Sequence, residues 1–79
     1  MLAARKVREQ LEDAPPELRG YVDGIVAVLR VDPAAASVAF VLVGGSEYKT
    51  IVFGEERGFL DYHVFAEQRV VVLVDLIWL

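Results

Sequence analysis

The stretch Gly20-Tyr21-Val22-Asp23-Gly24-Ile25-Val26-Ala27-Val28-Leu29-Arg30-Val31-Asp32 decides how the rest of the chain is read. It opens a change in composition. Thirteen of the fourteen valines and all three isoleucines lie beyond Gly20. β-Branched side chains are stiff at χ1 and sit well on a pleated surface. Tyr21 to Asp32 therefore reads as a first strand, long enough to need the bend or bulge that Gly24 would permit. On that reading the chain is mainly β from residue 20 onward.

Downstream, Asp32-Pro33 followed by Ala34-Ala35-Ala36-Ser37 reads as a turn, because proline presets φ for the second turn position. Val38 to Val43 is the second strand, and Gly44-Gly45-Ser46-Glu47 is a hairpin signal. Tyr48 to Phe53 is the third strand, broken by Gly54 to Gly58. Over 59–67 the spacing of Leu60 with Val64 and Phe59 with His63 predicts a helical turn. Arg69 to Leu79 is the last strand region, with a bend near Asp75. Its run Val70-Val71-Val72-Leu73-Val74 does not alternate, so cover is expected on both faces.

Upstream, residues 2–13 read as an amphipathic helix with Ala4, Val7, Leu11 and Ala14 on one stripe. Arg5–Glu9 and Arg8–Glu12 are i,i+4 pairs on its polar side. Pro15-Pro16 ends it, and Pro16 starts one further turn through Leu18 and Arg19 that Gly20 closes. The expected organisation is one domain over 1–79, with 1–19 an N-terminal helix and cap and 20–79 the β unit. Val7, Leu11 and Leu18 are expected to close one end of that unit.

Seventy-nine residues are enough for one core only, and a 56% hydrophobic composition is too apolar for a disordered chain. The absence of cysteine excludes disulfides and thiolate metal sites. Twelve acids oppose eight bases, and the excess falls entirely after residue 20. That is the wrong sign for a phosphate backbone. The longest apolar run, Val70 to Leu79, is too short to span a bilayer as a helix, which takes about 20 residues. The N-terminus lacks the apolar core of a signal peptide, so a cytoplasmic location is expected.

The stretches Gly20-Tyr21-Val22-Asp23-Gly24-Ile25-Val26, Ile51-Val52-Phe53-Gly54-Glu55-Glu56 and Phe65-Ala66-Glu67-Gln68-Arg69-Val70-Val71-Val72, in that order, resemble OB-fold-like barrel domains. In that family a helix fills the gap between strands three and four, and the fourth strand follows a short entry of large, small, polar, Arg-Val-x-Val type. The resemblance implies a small, partly open barrel over 20–79; an SH3-like or Sm-like barrel is the alternative. It also implies a ligand face across strands two and three, with Arg30, Phe40, Tyr48, Lys49 and Phe53 as its candidates.

Catalytic chemistry finds little to work with. His63 is the single histidine, and one imidazole with Glu67 four residues on does not complete a metal site. Ser37 and Ser46 fall in turns, where hydroxyls satisfy the backbone. Glu55 and Glu56 are adjacent and point apart. Gly44-Gly45 lacks the Lys-Ser/Thr of a phosphate loop. No catalytic residue, cofactor, metal or small-molecule substrate is expected.

The function the sequence favours is a non-catalytic module for protein interaction or oligomerisation. Two alternatives remain: an OB-type single-stranded nucleic-acid binder, and a small protein-directed inhibitor or immunity-type protein. The expected partner is a second copy, forming a homodimer through Val71, Leu73, Ile77, Trp78 and Leu79. Alternate residues of the last strand are apolar on both faces, and a small barrel has no second layer to cover them.

Overall fold

The computed structural model describes residues 2–32, the backbone of 41–44, 48–65 and 67–79. A two-residue strand β1 (Leu2–Ala3) leads into helix α1 (Arg5–Glu12), helix α2 (Pro16–Val31) and strands β2 (Val41–Gly44), β3 (Tyr48–Phe53), β4 (Gly58–Phe65) and β5 (Val70–Trp78). The strands form one sheet in the order β1-β5-β4-β3-β2. β2 to β5 are antiparallel neighbours in sequence, and β1 adds in parallel to β5. The architecture is mixed: helices on one side of a β meander.

The deciding stretch is helical. Leu18, Val22, Ile25 and Leu29 are the buried residues of α2, and their spacing of four, three and four is one face of a helix. Tertiary burial of that stripe overrides the strand preference of its valines. The ends agree with it. Pro16 takes the first helical position, where no amide partner is needed, Glu17 lies in the first turn and Arg30 in the last. Gly24, expected at a strand bend, stands in the middle of this helix, and α2 runs straight through the expected boundary between 19 and 20.

Pro15-Pro16 ends α1 as expected. Two of the carbonyls at that end are also bonded by Arg19, which donates from Nε to Leu11 O (3.0 Å) and from Nη2 to Glu12 O (2.7 Å). One side chain of α2 thus fixes the corner between the helices.

Residues 59–67 are also corrected. Gly58 to Phe65 is a strand paired along its length with β3 and β5; with a strand on each side to complete its ladders, the local i,i+4 spacing does not decide its structure. β3 and the last strand lie where the sequence puts them. The turn at 33–37, residues 38–40 of the second strand, and 45–47 of the hairpin signal lie outside the described residues. β1 and β2 are the sheet's two edges, and the sheet is open among the described residues. The closure that an OB-like, SH3-like or Sm-like barrel needs is not among the pairings of the described residues.

Val7, Leu18, Val22, Ile25 and Leu29 from the helices meet Ile51, Phe53, Leu60, Tyr62, Val71, Leu73 and Leu76 from the sheet in one core. β5 reaches this core through a change of phase. Asp61 faces Asp75 and Tyr62 faces Leu73, leaving Val74 as an extra residue. This bulge lets Val71 and Leu73 point to the helices before it, and Leu76 and Trp78 after it. Strict alternation, which would have placed Leu76 opposite Leu73, does not hold.

Candidate functional site: the open face of the sheet

Each interior strand has one face under the helices and one face free of them. Cross-strand register places Val52, Phe59 and Ile77 in one row on the free face. Thr50, Asp61 and Asp75 form the next row, followed by Tyr48, His63 and Val72, then Phe65 and Val70. Tyr48, Phe65 and Ile77 are exposed; Val52, Phe59, Val70 and Val72 are half-buried. A polar row therefore crosses an otherwise apolar and aromatic surface.

The polar row has its own partners. Thr50 Oγ1 donates to Asp61 Oδ1 at 2.6 Å. Asp75 Oδ1 accepts from the Leu76 amide at 2.9 Å and lies 3.3 Å from Lys6 Nζ of α1. Beside it, His63 lies edge-on to Tyr48 at 5.9 Å between ring centroids and 4.2 Å from the Phe65 ring. Among the described residues no group of three or more His, Asp or Glu side chains is placed to hold a metal.

The expected self-association residues separate. Val71 and Leu73 lie in the core, at 7% and 3% exposure, and take no part in an outer contact while the chain is folded. Ile77, at 45%, is on the free face. Trp78 belongs to an internal aromatic cluster. It stacks on Phe53 (5.9 Å, 14°) and lies 5.9 Å from Tyr21, while the Arg57 guanidinium sits 4.5 Å from its ring centre. Leu79, exposed, is tied by its amide to Arg57 O at 2.8 Å. The strand edge is not open for pairing along β5 either: β1 covers Val72 and Leu73, and Gln10 Nε2 donates to Leu76 O at 2.8 Å.

Nor is the expected ligand face assembled. Tyr48 is on the free face, Lys49 lies opposite Tyr62 on the helix side, and Phe53 is in the core. Arg30 sits in the last turn of α2, and Phe40 lies outside the described residues. The residues that sequence reasoning missed are Val52, Phe59, Phe65, Val70 and Val72. The period-two alternation of Gly58, Leu60, Tyr62 and Val64 against Phe59, Asp61, His63 and Phe65 was the available signal, obscured because both sets carry apolar residues.

Below this face, on the helix side, the Tyr62 hydroxyl is buried without a hydrogen-bond partner among the described residues. Burial raises its pKa above the ordinary tyrosine value. No helix among the described residues is long and apolar enough to cross a membrane. No family model matches this chain, and neither a curated protein nor a solved structure does.

Proposed function

We propose that this protein is a non-catalytic interaction module that pairs with a second copy of itself through the free face of its sheet. The observation that carries the reading is the row Val52–Phe59–Ile77, large apolar side chains in register with no layer over them among the described residues. Strands β2 to β5, at about 3.3 Å per residue and about 4.8 Å apart, cover ~430 Å² on each copy, so two copies bury about 860 Å², the size of a weak, reversible contact.

Self-pairing must keep aspartates apart. A two-fold axis along the Val52–Phe59–Ile77 row sets the Thr50–Asp61–Asp75 rows of the two copies on opposite sides of it, about 13 Å apart. Thr50 and Lys6 already hold the two carboxylates within each copy. Those same aspartates, central to the face, oppose a single-stranded nucleic acid stacking on Tyr48, His63 and Phe65.

Sedimentation equilibrium at tens of micromolar is expected to return twice the 8.8 kDa chain mass. Ile77→Asp is expected to return the single mass with an unchanged circular dichroism spectrum. A wild-type monomer at that concentration contradicts self-pairing and leaves the inhibitor-type reading, in which the face takes a different protein.

A further inference from the structure

A groove of about 630 Å³ lies at the β1 side of the molecule, away from the Val52–Phe59–Ile77 row. It is lined by Leu2, Ala3, Ala4, Val26, Val72 and Leu73 together with Arg8 and Arg30. Ala3 and Ala4 help keep it open, because each puts only a methyl group there. Arg8 comes one turn after Ala4, and Arg30 one turn after Val26. The two helices thus each contribute one apolar residue and one guanidinium.

The charge is the unusual feature. In a chain with twelve acids and eight bases, no acid among the described residues lines this groove. Three of the other six cations are engaged elsewhere: Lys6 by Asp75, Arg19 by the carbonyls ending α1, and Arg57 by Glu17 and the Trp78 ring. Arg8 and Arg30 make no ion pair or hydrogen bond among the described residues.

An apolar lining with two uncommitted guanidinium groups matches an anion with an apolar body. The volume falls in the range of small-molecule sites. Guanidinium groups hold carboxylates through charge-assisted, often paired hydrogen bonds. We infer that this groove binds a small amphipathic carboxylate, an acyl chain lying on Ala3, Ala4, Val26 and Leu73 with its head group between Arg8 and Arg30.

Decanoate is the probe, titrated into the full chain and followed by amide chemical shifts and calorimetry. Saturable binding at or below millimolar concentration is expected, with shifts at Ala3, Ala4, Val26 and Leu73. Butyrate, which lacks the apolar body, and decanol, which lacks the charge, are each expected to bind at least about tenfold more weakly. The double variant Arg8→Gln, Arg30→Gln changes two exposed side chains, so its melting temperature should match the wild type. It is expected to weaken decanoate about tenfold or more while leaving decanol unchanged. No saturation by decanoate, equal binding of decanol, an unaltered double variant, or shifts confined to Val52, Phe59 and Ile77 would each overturn the assignment.

Discussion

Both faces of β4 carry large apolar residues, one of them interrupted by Asp61 and His63, and the two have different fates. Leu60 and Tyr62 are sealed under α1 and α2, while Phe59 and Phe65, on the opposite face, look away from the helices. Large apolar side chains alone therefore do not tell which face is core. The cover does, and the cover comes from α2, whose buried stripe Leu18-Val22-Ile25-Leu29 accounts for four of the five helical residues in the core. A two-layer protein of this size has a single helical layer, and the other face of the strand is left without helical cover among the described residues.

The sharpest way to break the comparison is at the covered face. Gly58 pairs with Phe53, and a Cβ placed on it would overlap the Phe53 ring. Gly58→Val is expected to destabilise the chain by about 3 kcal/mol or more in urea denaturation, because the ring cannot move without opening the core. Leu60→Ala is expected to lose about 3 kcal/mol through its cavity. Phe59→Ala, one residue away, is expected to lose about 1 kcal/mol of monomer stability and to abolish the dimer. Equal losses for Leu60→Ala and Phe59→Ala would mean the faces are not distinct.

Trp78→Ala is expected to have the next largest effect. Trp78 holds Phe53, Tyr21 and Arg57 together inside one copy. About 2 kcal/mol of stability should be lost, with the chain still dimeric at concentrations where it is folded. Loss of the dimer without loss of stability would put Trp78 in the interface instead.

Gly24→Ala acts on the covering layer. Gly24 is exposed in mid-helix, and an added methyl meets nothing within 4 Å. A gain of about 0.5–1 kcal/mol in chemical denaturation is expected.

The smallest effect is at Tyr62. Removing an unpartnered buried hydroxyl should make Tyr62→Phe neutral or more stable by up to about 1 kcal/mol at neutral pH. The pH dependence has a definite sign. The raised pKa means that the unfolded tyrosine, with a pKa of about 10, loses its proton first. Stability contributed by Tyr62 is therefore fully present below about pH 10 and is lost as pH rises through the folded-state pKa. Denaturation profiles from pH 8 to 11 should show a shallower alkaline decline for Tyr62→Phe than for the wild type.

How legible the fold was depends on which element is asked about. β3 was readable to the residue, since Gly54 and the hairpin glycines punctuate it and its valine and isoleucine fit a strand. α1 was readable from Val7, Leu11 and the two prolines. α2 was not, because Val22, Ile25, Val26 and Val28 satisfy strand preference and helical period together, and only burial of Leu18-Val22-Ile25-Leu29 against the sheet separates them. The Pro16-Glu17 start and Arg30 end were the neglected evidence. β4 was missed for the converse reason: its i,i+4 apolar pairs mimic a helix, while its true partners are on other strands. The candidate face was less legible still. It depends on the Val74 bulge, and a single extra residue reverses which side of β5 is buried beyond it.

The central claim is that the helix-free face of the sheet is where two copies meet. Its most direct measurement is an intermolecular nuclear Overhauser experiment on a mixture of isotope-labelled and unlabelled chain. Cross-peaks among the side chains of Val52, Phe59 and Ile77 are the result this account requires. Cross-peaks confined to Tyr21, Val31 and Leu79, or none from the Val52–Phe59–Ile77 row in a sample that sediments as a dimer, would contradict it.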